Sequence, residues 1–324
     1  MASLTATTFR VFTSAKAQGN PAAVIILPKP ESNTNASNGE FPYSLFPEAS
    51  KLQEIATELN LPMTAFVLPL DPENQSPEAI HYAVRWFNPG NEAPLCGHAT
   101  VALSQHLFNI LPNPPQTLRY LTRLHGVATA SLNQSPFEDV KLVGIGFPEL
   151  VNLPAVSKGS KRWEELKTLF EEATGSKWEG KGEPVGVFEQ DQYFLMEYSP
   201  DLDLKALDID APKLAPLNAF MYLFQISTSP SEQIHSRVLN AISGNVHEDA
   251  ATGSAHRAII PHVLSNPETT ARLKKYHPDF SGNTLQIWQQ SKEGGELTVE
   301  WLRDTKSVRI MGKISPVGES SIQI

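Results

Sequence analysis

Two short stretches of this chain share one pattern: a glycine, then a polar residue, opening an alanine-containing run. They are Leu95-Cys96-Gly97-His98-Ala99-Thr100-Val101-Ala102 and Asp249-Ala250-Ala251-Thr252-Gly253-Ser254-Ala255-His256. A helix starting at such a glycine presents free backbone N–H groups and the positive end of its dipole, a ready place for a carboxylate. Two such starts suggest two related halves and a small anionic ligand. His98 stands at the first start, where the dipole favours a neutral imidazole that can take or give a proton near neutral pH. Asp249 precedes the second. Its carboxylate either caps that helix or orients the imidazole, and the local sequence leaves both readings open. The backbone amides of Gly97, Gly253 and Ser254 are the candidates to hold a substrate carboxylate.

The other reactive side chains read as less eventful. His247, Glu248 and His256 cluster near Asp249, but their spacing matches no zinc or iron pattern. They are expected at solvated loop positions, and no metal is expected. Arg85, beside Trp86 and Phe87, has the charge to meet an acidic ligand, although most such arginines are structural or exposed. Cys96 is the single cysteine. That excludes an internal disulfide and a two-thiol mechanism, and the residue reads as small apolar packing. No G-x-G-x-x-G follows a strand and no P-loop occurs, so no nucleotide cofactor is expected.

These residues need a scaffold, and 324 residues with 40% hydrophobic and 19% charged content can build two cores. A formal charge of −9 with scattered Lys and Arg argues against a nucleic-acid surface. The N-terminus lacks the pattern of a signal peptide and no apolar run reaches bilayer length, so a cytoplasmic protein with no membrane partner is expected. Strand-like segments fall at residues 8–13, 22–27, 64–70, 80–87 and 117–122 in the first half. In the second they fall at 126–132, 140–147, 192–198, 219–228, 284–289, 296–301 and 307–314. Helical spacing appears at 50–60, with Ser50 as a plausible cap, and at 99–108, 161–174 and 255–264. Residues 28–42, rich in Pro, Asn, Ser and Gly, read as an exposed loop. Many short strands around a helix in each half imply mixed sheets in an α/β (α+β) fold of two similar domains. The boundary is expected near 123–126: residues 1–124 form one domain, with 315–324 a candidate return to it, and 125–314 form the other.

Taken in order, several motifs resemble the phenazine-biosynthesis PhzF-like family. They are Phe12-Thr13 through Gly19-Asn20-Pro21-Ala22-Ala23-Val24, Asn60-Leu61-Pro62-Met63-Thr64-Ala65-Phe66-Val67, Arg85-Trp86-Phe87, Leu95-Cys96-Gly97-His98-Ala99-Thr100 and Glu248-Asp249-Ala250-Ala251-Thr252-Gly253-Ser254-Ala255. The resemblance spans about residue 8 to residue 315. It implies a fold like that of diaminopimelate epimerase: two halves, each a barrel-like mixed sheet around a central helix, with the site in the cleft between them. It also implies no metal or organic cofactor, frequently a homodimer, and a small-molecule substrate. In the family's founding activity a dihydro-hydroxyanthranilate is isomerised by moving a proton along a cyclohexadiene. The site carried over is His98, Asp249, Gly97 and Ser254.

One departure stands out. The family's proton-shuttling glutamate lies in an Asn-Leu-x-Glu-Thr-Ala-Phe segment, and this chain has Met63 there. A thioether neither accepts nor delivers a proton. Three readings follow: another group carries the proton, the cleft runs a dehydration or ring closure, or catalysis is lost. Met63 as an apolar pocket wall favours the second. The expectation is a cofactor-independent isomerase, lyase or cyclase acting on a small carboxylate- or carbonyl-bearing metabolite in secondary metabolism. Its alternative is a ligand-binding or scaffold protein that keeps the fold.

Overall fold

The computed structural model describes residues 3–30, 40–71, 79–242 and 246–323. Most of the expected loop at 28–42, namely 31–39, lies outside the described residues. Two compact units divide the chain: Met1–Gly146 with Met311–Ile324, and Phe147–Ile310. Each is a mixed sheet curled against helices, the two-halved α/β architecture that the motifs imply.

The first unit contains β1 (Ser3–Val11), β2 (Asn20–Ile26), β3 (Thr64–Pro69), β4 (Tyr82–Phe87), the short β5 (Glu92–Ala93), β6 (Thr117–Thr122), β7 (Val127–Gln134) and β8 (Lys141–Pro148). The chain's last strand, β17 (Ile314–Gln323), joins them. Pairing runs β17-β1-β2-β3-β4-β6-β7-β8, with β2–β3 and β4–β6 parallel and the rest antiparallel. The expected boundary at 124/125 falls inside this sheet, because β7 pairs with β6 and β8 with β7. The returning segment begins at Met311.

Helix α2 (Gly97–Ile110) buries Ala99 through Ser104 together with Leu107 and Phe108. A helix apolar on nearly every side belongs in a core. It touches β1, β2, β3, β7 and β17, strands from across the sheet, so the sheet wraps around it. On the opposite face Leu52, Ile55 and Ala56 of α1 (Ala49–Leu59) pack with Ile25, Phe66, Leu68 and Phe87. The α1 N-cap is Glu48 rather than Ser50, and no side chain caps the helix.

The second unit repeats this order. Its strands are β9 (Gly186–Gln190), β10 (Tyr193–Tyr198), β11 (Phe220–Ile226), β12 (Ile234–Asn240), the short β13 (His247–Glu248), β14 (Thr284–Gln289) and β15 (Gly295–Leu302), with β16 (Ser307–Gly312) leading out. β9–β10 pair antiparallel, β10–β11 parallel, β11–β12 antiparallel, β12–β14 parallel and β14–β15 antiparallel, with β13 antiparallel on β12. The sequence β1-β2-β3-β4-β5-β6-β7 shows the same alternation, step for step. The sheet packs inward on α4 (His256–Ser265) and α5 (Pro267–Tyr276). Outside lies α3 (Lys161–Thr174), whose Trp163, Leu166 and Phe170 join Phe194, Met196 and Tyr198. Among the described residues no helix is long and apolar enough to cross a membrane.

The turn into β2 depends on Gly19, which sits at φ +74°. A Cβ there would lie 2.3 Å from the Val11 carbonyl oxygen. Gly126 has a similar φ of +63° but open space around it. Gly19→Ala is therefore expected to lower stability by about 2–3 kcal/mol and Gly126→Ala by only about 1 kcal/mol, as read by urea denaturation. Equal losses would contradict the steric argument.

Candidate functional site

In the first unit the approach to α2 is fixed by a buried ion pair. Arg85 on β4, 5% exposed, grips Glu92 on β5 with two bonds: Nε to Oε1 and Nη2 to Oε2, both 2.8 Å. Arg123 adds a contact to the same carboxylate at 3.3 Å. Arg85 thus serves the hairpin. Beyond it the chain turns at Cys96, the N-cap of α2, whose side chain makes no capping bond. Thr100 Oγ1 instead donates to the Cys96 carbonyl at 2.6 Å, steadying the turn. The half-buried imidazole of His98 lies with Nδ1 3.4 Å from the buried Cys96 Sγ. The expected apolar role of Cys96 is therefore incomplete, because its sulfur contacts the site imidazole. Met63 precedes β3 with its side chain 9% exposed, and its carbonyl accepts the Ala23 N–H at 2.9 Å.

The second unit is built the same way. Arg237 on β12 grips Glu248 on β13 through Nε–Oε1 and Nη2–Oε2, both 2.8 Å. A 3-10 turn, Gly253–Ala255, leads into α4. Asp249 is half-buried and accepts the Thr252 hydroxyl on Oδ2 at 2.5 Å, so its carboxylate is held facing the turn. Gln289, the fully buried last residue of β14, clamps this loop. Its Nε2 donates to the Asp249 carbonyl at 2.7 Å, and its Oε1 accepts the Thr252 amide at 2.7 Å. Ser291 Oγ donates to the Ala250 carbonyl at 2.5 Å. The amides of Gly253 and Ser254 open a helical turn, where the first donors have no carbonyl one turn earlier.

The ladders align the halves without ambiguity. In the first, Ala23, Thr64, Phe87 and Glu92 stand across from one another; in the second, Phe194, Met221, Leu239 and Glu248 do. Counting on from the glutamates, Gly97 matches Gly253, His98 matches Ser254, Cys96 matches Thr252, and Ala93 matches Asp249. The imidazole is present only in the first half and the carboxylate only in the second. Met63 matches Phe220, which stacks on Tyr193 with centroids 5.8 Å apart, and Arg257 sits 5.2 Å over the Tyr193 ring.

Several site-building residues escape a sequence reading: the two Arg–Glu forks, Gln289, and the pair Thr100 and His256. The signal that would have found the forks is the repeated Glu-x4-Gly-x-Ala at Glu92 and Glu248. His256 requires a correction. It is not a solvated loop residue but fully buried at the start of α4, where Nδ1–H donates to the Thr252 carbonyl at 3.0 Å and Nε2 accepts from Ser236 Oγ at 3.3 Å. It does the work of Thr100 in the other half. Glu248 is likewise engaged, by Arg237, while His247 is exposed. Among the described residues no group of His, Cys, Asp and Glu is arranged to hold a metal.

A family model described as "Phenazine biosynthesis-like protein" matches residues 9–319. A phenazine biosynthesis-like domain-containing protein of Homo sapiens is 36% identical, over 96% of this chain and 96% of that one. A Pseudomonas aeruginosa protein named as an uncharacterized isomerase is 28% identical, over 84% of this chain and 87% of its own length. A solved structure of a PhzF-family phenazine biosynthesis protein from Enterococcus faecalis has a TM-score of 0.71 at 23% identity and covers 100% of both chains, a likeness of fold.

Burial pushes the His256 imidazole down from its ordinary 6.5 to about 4, despite hydrogen bonds to the Thr252 and Gly253 backbone that favour the proton. An unfolded chain protonates this group below about pH 6.5 while the folded one stays neutral. Folding is therefore fully supported above that pH and loses up to about 3 kcal/mol as pH falls toward 4. Urea denaturation across this window should show a smaller acid loss for His256→Gln than for the parent chain. Parallel stability–pH curves would contradict the neutral, buried assignment.

Proposed function

The chain belongs to the phenazine biosynthesis-like family, and from that premise we propose that it is a cofactor-independent isomerase, lyase or cyclase of small carboxylate- or carbonyl-bearing metabolites. The observation that carries the proposal is the division of labour between the repeats. A proton-carrying imidazole, His98, replaces Ser254's position in one, and a fixed carboxylate, Asp249, replaces Ala93's position in the other.

In this reading the amides of Gly97, Gly253 and Ser254 hold the substrate's carboxylate or carbonyl, and they are strongest where negative charge develops as a carbon acid loses its proton. His98 takes that proton and returns it at another carbon, which leaves the mass unchanged. In a dehydration it delivers the proton to a departing hydroxyl instead. Asp249, whose Oδ2 accepts the Thr252 hydroxyl, orients the imidazole or shares its proton. Met63 is a buried wall where the family pattern places a glutamate, so the proton step falls to His98. On the same resemblance the working form is a homodimer.

The second reading, a non-catalytic binding protein, is favoured by Met63 alone. The two separate by turnover. Incubation with cyclic, conjugated carboxylates, dihydro-hydroxyanthranilate among them, should give a mass-neutral or water-loss product by mass spectrometry. His98→Ala and Asp249→Ala should each lower kcat by about 10²–10⁴ with the circular dichroism spectrum preserved. Normal turnover in both variants would end the role assignment. Met63→Glu should raise dihydro-hydroxyanthranilate isomerisation if only the shuttle has been lost, and an unchanged rate would mean that the pocket itself has been remodelled.

A further inference from the structure

The first unit contains a cavity of about 440 Å³ that plays no part in the scheme above. It opens between the two ends of the first sheet. One wall is the start of β8, with Lys141, and the other is the lead into β17, with Lys313 and Ser315. The β1–β2 connection supplies Thr13 and Ser14, and Gln105 of α2 reaches it from the helix. The volume suits a small metabolite rather than a lone ion.

The lining chemistry is specific. Lys313 is held by Glu138 at 2.5 Å, so its charge is already answered. Among the described residues Lys141 has no acidic partner. Thr13 Oγ1 and Ser315 Oγ share a hydrogen bond of 3.0 Å between adjoining segments, and the Gln105 amide donates to Asn109 at 2.9 Å. Hydroxyls and a carboxamide both donate and accept, which suits a ligand rich in hydroxyl groups. One uncompensated ammonium suits a single anionic head. The site's floor is held rigidly, since the Phe12 and Thr13 amides both donate to the Lys313 carbonyl, at 2.8 and 3.1 Å. That grip keeps buried Phe12 at φ +67°, a conformation a bulky residue rarely adopts without cause.

We propose that this cavity binds a small polyhydroxylated anion, of the sugar-phosphate or sugar-acid class, with Lys141 on the anionic head and Thr13, Ser14, Gln105 and Ser315 on the hydroxyls. Gln105 brings α2, the helix that begins at Gly97, into the lining of this cavity.

Isothermal titration of the full chain tests this with four probes: glucose 6-phosphate, gluconate, glucose and inorganic phosphate. At least one of the first two should bind at least about tenfold more tightly than either glucose or phosphate, since head and hydroxyls act together. Phosphate-ester preference over gluconate, or the reverse, identifies the head. Lys141→Glu should weaken that binding at least about tenfold, and Ser315→Ala should weaken it less. His98→Ala should leave it intact, which separates this site from the catalytic one. No binding at millimolar probe, phosphate binding as well as the sugar anions, or an unchanged affinity in Lys141→Glu would each overturn the proposal.

Discussion

The fork of Arg85 on Glu92, repeated as Arg237 on Glu248, is the contact on which both helix starts depend. Each guanidinium meets both carboxylate oxygens at 2.8 Å and joins a central strand to the short strand that precedes the glycine turn. Both arginines are nearly buried, with Arg237 at 6% exposure. Removing one partner of such a pair strands the other and typically costs about 3–5 kcal/mol, more than a surface ion pair returns. Bidentate geometry also fixes direction, which a point-charge lysine would not do. From the fork onward the chain has little freedom. The following residues are clamped by Gln289 and Ser291 in one half, and by the Thr100 hydroxyl bond in the other.

Two copies of one design have diverged in what they present. Each retains the glutamate, the glycine and a side chain that satisfies the N-cap carbonyl, Thr100 in the first and His256 in the second. These parts build the turn. The positions beside them were free to specialise, and there the halves differ: His98 against Ser254, Asp249 against Ala93, Met63 against Phe220. Burial explains why His256, an imidazole just two positions beyond Ser254, is an unsuitable proton carrier: it is held neutral well below physiological pH and both its ring nitrogens are occupied.

The motifs made the family and the fold readable, because glycine turns and apolar strands leave strong local signals. Helix α3 and strands β6 and β14 occupy the residues that periodicity assigns to them. Strand β12 was not legible. Ile234-His235-Ser236-Arg237-Val238-Leu239-Asn240 mixes polar and apolar residues on both faces, since Ser236 meets His256 and Arg237 meets Glu248. A buried polar residue reads as a loop residue until its partner is known. Helix α5 was missed for its polarity, although Asn266 accepts the Glu268 and Thr269 amides and Pro267 opens the first turn. The domain boundary lies beyond the expected one because β7, which follows the His125-Gly126 turn, pairs back onto β6, and β8 pairs onto β7. Long-range pairing of that kind has no local signature.

The most direct test of this account is hydrogen–deuterium exchange in Arg237→Met, following the backbone amides of residues 247–256. If the fork holds the helix start, exchange should accelerate across that segment while residues 92–100, governed by the other fork, stay as protected as in the parent chain. Unchanged exchange at 247–256 in the variant would contradict the claim that the ion pair positions the site.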